Sequence, residues 1–237
     1  MTVFKLKIIA CIAMLIDHFG AVIMQPWLYE PYFNPDIYFL SRNIGRIAFP
    51  IFAYLIAQGC LHTKSMGKYL LRLGVLAIIS EPLFDIAFGS FWDGNINFLR
   101  NTNIFYTLFL GVAAIAIYEN LRHNFPKVSN FAVLAPLSMM AAAHLLSTDY
   151  SFIGVGLIFL IYLMGPENHT NRAIVLSIGI FALYFDDIIH LIFALIAIGL
   201  IALYNGKPGH NNATIKWGFY FFYPVHIAIL IAIRSLL

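Results

Sequence analysis

Asp17 and His18 stand side by side inside the apolar run Met14-Leu15-Ile16-Asp17-His18. An ionisable side chain within hydrocarbon costs about 2.5–3.5 kcal/mol on insertion scales, so each one inside an apolar stretch is a functional candidate by default. Further ionisable or polar groups interrupt apolar runs. Arg46 lies in Ile44-Gly45-Arg46-Ile47-Ala48-Phe49-Pro50, and Glu81 in Ser80-Glu81-Pro82 with Asp85 beyond it. Asn103 and Thr107 open another apolar run, His144 interrupts one, and His226 follows Phe222-Tyr223-Pro224. A neutral imidazole with a carboxylate nearby is suited to general-base work, in which the acid fixes the tautomer and the ring removes a proton. A guanidinium can hold an anion or a developing oxyanion. These parts fit acyl transfer, and they fit a proton relay in coupled transport equally well. Adjacent helical residues point about 100° apart, so Asp17 need not touch His18. Glu81 or an acid from another helix can orient the ring while Asp17 pairs with Arg46.

Plainer roles exist for most of these groups. Lone histidines such as His144 and His190 also serve as hydrogen-bond partners between helices. Arg42 and Arg46 can snorkel to head groups, and Glu81 can satisfy backbone freed by Pro82. Asp85 and Asp149 read equally as solvated ends, and Arg72 as a topology signal. The plain reading is weakest for Asp17-His18, where two adjacent ionisable groups double the insertion cost. Other chemistries lack their motifs: there is no H-E-x-x-H, G-x-S-x-G or Walker A sequence, and Cys11 and Cys60 have no partner at metal-ligand spacing. No metal is expected.

The elements that position these residues follow from composition. Of 237 residues 61% are apolar, 11% charged and 16% aromatic, with a net charge of +3. Soluble domains carry about 25% charged residues, so a soluble enzyme, a disordered chain and a nucleic-acid-binding domain are excluded. A crossing helix needs about 20 apolar residues. The hydropathy pattern predicts an all-α, polytopic transmembrane bundle forming one domain over 1–237, with about nine spans at 6–24, 44–61, 69–89, 103–118, 131–147, 150–164, 173–188, 189–204 and 217–236. The seventh and eighth meet at Asp186-Asp187, where a re-entrant hairpin also fits. The first lacks a small-residue cleavage site after His18 and reads as a retained helix rather than a signal peptide.

With the N-terminus inside, ten of fourteen basic residues (Lys5, Lys7, Lys64, Lys68, Arg72, Arg122, Lys127, Arg172, Lys207 and Lys216) fall on inner segments, and Arg42, Arg46, Arg100 and Arg234 fall outside. The outer segments carry Glu30, Asp36, Asp93, Asp149, Asp186 and Asp187. That bias predicts N-in. At 1.5 Å per residue Asp17 lies roughly 18 Å beyond Lys5, and Glu81 roughly 18 Å beyond Tyr69. Asp17, His18, Arg46, Glu81 and His144 are thereby expected in one layer of the outer half, with His226 nearer mid-depth.

Several ordered fragments carry a resemblance. They include Lys5-Leu6-Lys7-Ile8-Ile9-Ala10, Met14 to His18, Gly45 to Ala53, Gly59 with His62-Thr63, and Tyr69-Leu70-Leu71-Arg72-Leu73. Ser80-Glu81-Pro82, Asn103 to Leu108, Thr148-Asp149-Tyr150 with Gly154, Tyr204-Asn205-Gly206 with Gly209, and Phe222 to His226 follow. Through them the chain resembles the TraX family, membrane proteins of conjugation systems associated with N-acetylation of pilin. The family is similar in turn to multi-helix membrane acyltransferases that use acetyl-CoA and rely on a histidine in the first span. The resemblance implies a multi-pass protein of the bacterial inner or plasma membrane, with acetyl-CoA as co-substrate. The implied acceptor is an amine such as a peptide or pilin N-terminus or a small molecule. His18 would be the base, Asp17, Arg46 and Glu81 its supporting shell, and His226 a further candidate. Lys64, Lys68, Arg72, Arg122 and Lys127 are the expected phosphate contacts, and Asn103, Thr107, His144, Asp149 and Tyr150 the expected acceptor contacts. Ser151 stands where the family pattern leads one to expect glycine. The rival readings are a proton-coupled transporter or flippase using the same residues, although no internal symmetry is found, and a non-catalytic scaffold for a pilus or secretion machine.

Overall fold

The computed structural model describes residues 1–89, 101–165 and 169–237, so Asp93 and Arg100 lie outside the described residues. Within them the chain is helical, with no strand. Ten α-helices follow in order: α1 (Val3–Phe19), α2 (Pro35–Gly45), α3 (Ala48–His62), α4 (Met66–Phe88), α5 (Ile104–Asn124), α6 (Leu134–Leu145), α7 (Ser151–Leu163), α8 (His169–Tyr184), α9 (Ile188–Ala202) and α10 (Ala213–Arg234). Among the described residues four stretches are long and apolar enough to cross a membrane, namely Val3–Trp27, Pro35–His62, Ile104–Asn124 and Ala213–Arg234. Shorter apolar helices cover Leu134–Leu145, Ser151–Leu163, Asn171–Tyr184 and Ile188–Ala202.

Local signals explain the ends. Thr2 caps α1, its hydroxyl accepting from the Lys5 amide at 3.4 Å. Asn34 caps α2 by accepting from the Asp36 amide at 2.9 Å, with Pro35 in the first helical position, where its missing N–H costs nothing. The helical stretch that includes the second predicted span therefore starts at Pro35 rather than at residue 44, and Arg46 sits in a tight join, where its amide bonds the Asn43 carbonyl at 3.1 Å. Asp187 caps α9, its Oδ1 accepting from the Ile189 and His190 amides at 3.0 Å each. The His190 amide is the main reason the Asp187 carboxyl is held below the usual carboxylate range. Asp187 is therefore a cap, while Asp186 is exposed.

The chain groups into two compact units. The first comprises Met1–Phe52, Pro82–Asn97 and Tyr184–Leu237. Within it α1 packs on α2 and on α10. Two glycines permit the first contact: a Cβ at Gly20 would overlap Ser41, and one at Gly45 would overlap the Asp17 side chain. After Phe19 the helix widens into a π-turn over Gly20–Met24 and tightens over Gln25–Trp27. The N-terminal residues are strapped to the α9–α10 connection, Val3 donating to the Lys207 carbonyl at 3.0 Å and Phe4 to that of Pro208 at 3.1 Å.

The second unit comprises Ala53–Glu81 and Phe98–Leu183. Its centre is α5, packed on α6 and α7, with Val112, Ala114 and Ile115 fully buried. Gly111 leaves room for Ile158, and Gly179 for Leu157. Beside the start of α5 the backbone is strained: Asn101 (φ 66°), Ser147 (φ 47°) and Ser151 (φ 46°) all lie in the left-handed region. There a side chain costs about 1–2 kcal/mol. The departure from glycine at Ser151 thus falls on a position whose backbone favours glycine. Ser151→Gly is expected to stabilise the protein by about 1 kcal/mol, visible as a raised midpoint in thermal melts; an unchanged or lowered midpoint would remove this account.

Candidate functional site

Consecutive positions on α1 send Asp17 and His18 to different neighbours. Asp17 faces α2, where its Oδ1 lies 2.9 Å from Nη1 of Arg42 and 3.5 Å from Nη2 of Arg46. Arg42 Nη1 also donates to the Asp17 backbone carbonyl at 3.2 Å, and Arg46 Nε to the Arg42 carbonyl at 3.1 Å. The three side chains are 15–26% exposed. Two guanidiniums against one carboxylate leave one net positive charge, in a setting where water screens it weakly. Arg42 was missed as a site residue in the sequence because it reads as a head-group anchor. Its i, i+4 spacing from Arg46, which puts both on one helical face, is the signal that could have found it.

His18 faces α10. Its Nδ1 lies 2.7 Å from Nε2 of His226, and the two rings stack with centroids 4.9 Å apart. His226 is 5% exposed, and its Nδ1 is 2.7 Å from the Phe222 carbonyl oxygen. That carbonyl can only accept, so His226 Nδ1 carries a hydrogen. In neutral His226 the other nitrogen, Nε2, is then a lone pair that accepts from His18 Nδ1–H. By the same reasoning neutral His18 presents an unprotonated Nε2. The chain Phe222 carbonyl, His226, His18 thus assigns both tautomers and makes His18 Nε2 the basic atom. Phe88 and Tyr223 close the site, their rings edge-on to His18 at 4.9 and 5.8 Å, and Tyr223 is 3% exposed. Arg42 and Arg46 are close enough for their charges to act on His18. Arg46 also acts on Asp187 and His190, whose side chains pair at 2.8 Å. All these groups belong to the first unit.

Glu81 belongs to the second unit, where its partner is Asn103. Oε2 of Glu81 accepts from the Asn103 amide at 3.1 Å and, in a very short contact, from Asn103 Nδ2. The same Nδ2 donates to the Ala77 carbonyl at 2.8 Å, and Asn103 Oδ1 caps α5 by accepting from Phe105 N at 2.9 Å. Asn103 and Thr107 are fully buried. The Tyr150 amide reaches the Thr107 hydroxyl at 3.4 Å, and a backbone bridge joins Thr102 to Thr148. Asn103, Thr107, Asp149 and Tyr150 are therefore brought together beside Glu81. His144 is exposed in the last turn of α6, edge-on to Phe152 at 5.9 Å. Asn103→Ala removes a helix cap and one hydrogen bond to a buried acid, with an expected loss of about 2 kcal/mol. Chemical denaturation of the purified protein measures it, and a loss below about 1 kcal/mol would contradict the role.

In the second unit Lys64, Lys68, Arg122 and Lys127 are exposed and Arg72 is half-buried. Lys64 and Lys68 flank the α3–α4 turn, Arg72 lies over the Tyr69 ring at 5.7 Å, and Arg122 lies over Tyr118 at 5.5 Å while donating to its hydroxyl at 3.1 Å. Lys127 follows in an exposed turn. Arg172, read in the sequence as a topology charge, is 4% exposed and donates to the Tyr54 hydroxyl at 3.0 Å.

The chain matches the family model described as TraX protein over residues 4–234. A curated relative from Dichelobacter nodosus, "Probable fimbrial assembly protein FimC, serogroup H1", is 27% identical, the alignment covering 99% of this chain and 96% of the relative. No solved structure matches.

Proposed function

Because this chain belongs to the TraX family, we propose that it is a membrane-embedded acetyltransferase that moves the acetyl group of acetyl-CoA to an amine acceptor, such as a peptide or pilin N-terminus. The observation that carries the reading is the tautomer chain through His226, which leaves His18 Nε2 as a base beside a net positive charge. His18 Nε2 takes a proton from the acceptor amine as its nitrogen attacks the thioester carbonyl carbon. Arg42 and Arg46 stabilise the resulting oxyanion, with Asp17 holding them in place. The C–S bond then breaks, the acetyl group stays on nitrogen as an amide, and imidazolium His18 returns its proton to the departing CoA thiolate. General-base help is worth about 10²–10⁴-fold and an oxyanion donor about 10²–10³-fold.

Lys64, Lys68, Arg72, Arg122 and Lys127 are the proposed contacts for the donor's phosphates, approached from the cytosol. Glu81 is a proposed supporting residue acting through Asn103, and Thr107, His144, Asp149 and Tyr150 are proposed acceptor contacts. The proposed location is the cell membrane, with multiple crossings and the N-terminus inside. The relative's description as a probable fimbrial assembly protein favours a pilus-related acceptor.

Incubation of the purified protein with labelled acetyl-CoA and cell-envelope fractions, followed by mass spectrometry, tests this. Label on the amine of one envelope component is the expected result. Proton-linked substrate flux in vesicles with no consumption of acetyl-CoA would replace the reading with a transporter.

A further inference from the structure

Between α1 and α10, within the first unit, lies an open groove of about 430 Å³. One wall is the stripe Ile8, Ile12, Leu15, and the other is Ile215, Gly218, Phe222. Both follow helical spacing, so each stripe lies along one face. Its lining is almost wholly apolar. The wall runs from Ile8 to Leu15, about 10 Å along the helix axis. At its upper end Phe222 stacks on His226 with centroids 4.7 Å apart. At its lower end Phe4 meets Phe219 and His210 edge-on, at 5.8 and 5.4 Å.

Two features bear on what chemistry the groove would accept. The first is Gly218. Glycine within a helix costs about 1 kcal/mol relative to alanine, and a Cβ there would meet nothing within 4 Å. Neither helix packing nor backbone conformation therefore requires it, and its effect is to keep the groove open. The second is charge. Lys7 lies over the Phe219 ring at 5.2 Å, and Lys216 is near enough for its charge to act on Lys7. There is no Asp or Glu in residues 1–16 or 188–237 to neutralise them.

We propose that this groove binds one anionic phospholipid, with an acyl chain along the Ile8–Leu15 wall and the phosphate on Lys7 and Lys216. The chemistry favours hydrocarbon over the pantetheine arm of acetyl-CoA, whose two amides would lose their hydrogen bonds to water and find none in the wall. A zwitterionic head group brings its own cation beside the two lysines, so at about 1 kcal/mol per lysine an anionic head group is preferred roughly 30-fold. A chain lodged against Phe222 braces the ring on which His226 stacks, so lipid occupancy supports the His226–His18 contact. The inference stands apart from the acetyl-transfer reading, since lipid binding is measured without any acetyl donor.

Native mass spectrometry of the detergent-purified full chain, titrated with palmitoyl-oleoyl phosphatidylglycerol or phosphatidylcholine, tests it. The wild type is expected to retain one phosphatidylglycerol at roughly 30-fold lower concentration than phosphatidylcholine. The double variant K7Q/K216Q is expected to bind the two alike. Gly218→Phe fills the groove and is expected to lose the adduct, while helix content and melting remain those of the wild type. If that variant melts early, Ile12→Trp from the opposite wall reads the same groove. Equal retention of both lipids by the wild type would overturn the proposal. So would a full adduct on a folded groove-filling variant, or displacement of the bound lipid by acetyl-CoA.

Discussion

His18→Ala is expected to lower acetyl transfer by roughly 10³-fold, the contribution of a positioned general base, while the protein remains folded. The variant deletes the ring whose Nε2 is made the basic atom by the hydrogen-bond chain running through His226 to the Phe222 carbonyl. Its neighbours stay in place: Phe88 packs at one edge and Tyr223 at another, and the Asp17–Arg42–Arg46 cluster is anchored separately on α2. Label transferred from acetyl-CoA, read beside circular dichroism and a melting curve, separates catalysis from folding. A folded His18→Ala protein that transfers acetyl at the wild-type rate would end the enzymatic reading.

His226 gives the second large effect, and of a different kind. It is argued to act through His18 and is a positioning residue. His226→Phe keeps an aromatic ring against Phe222 and removes the acceptor for His18 Nδ1–H. His18 is then free to adopt the other tautomer, with its proton on the nitrogen that should be basic. A fall of about 10²-fold in kcat with little change in KM is expected, because substrate contacts are untouched while the base is misassigned. His226→Gln restores an acceptor oxygen near the position of Nε2 and is expected to recover part of that loss. A purely structural role would instead lower thermal stability in both variants without restoring kcat in the glutamine form. Equal kcat in the phenylalanine and glutamine variants would remove the tautomer argument.

The amino-acid sequence by itself determined that this is an all-helical membrane protein, because 25 charged residues among 237 cannot cover a water-facing surface. It also determined which residues to ask about, since the cost of ionisable groups in hydrocarbon is a local property of the chain. The family was legible for the same reason, through many short fragments in order.

Partnership was a different matter. His18 and His226 are 208 residues apart, and nothing near either one announces the other. The contact of Glu81 with Asn103, 22 residues away, and that of His18 with a second imidazole are likewise tertiary. Arg42 read as a membrane anchor until the close approach of α1 and α2, allowed by Gly20 and Gly45, set it 2.9 Å from Asp17. The helical stretch beginning at Pro35 was masked by Ser41, Arg42 and Arg46, polar residues that face α1 while Ile37, Phe39 and Leu40 are exposed. Hydropathy records what each segment avoids. Which side chains meet depends on helix rotation and separation, and those are fixed by contacts between residues far apart in the chain.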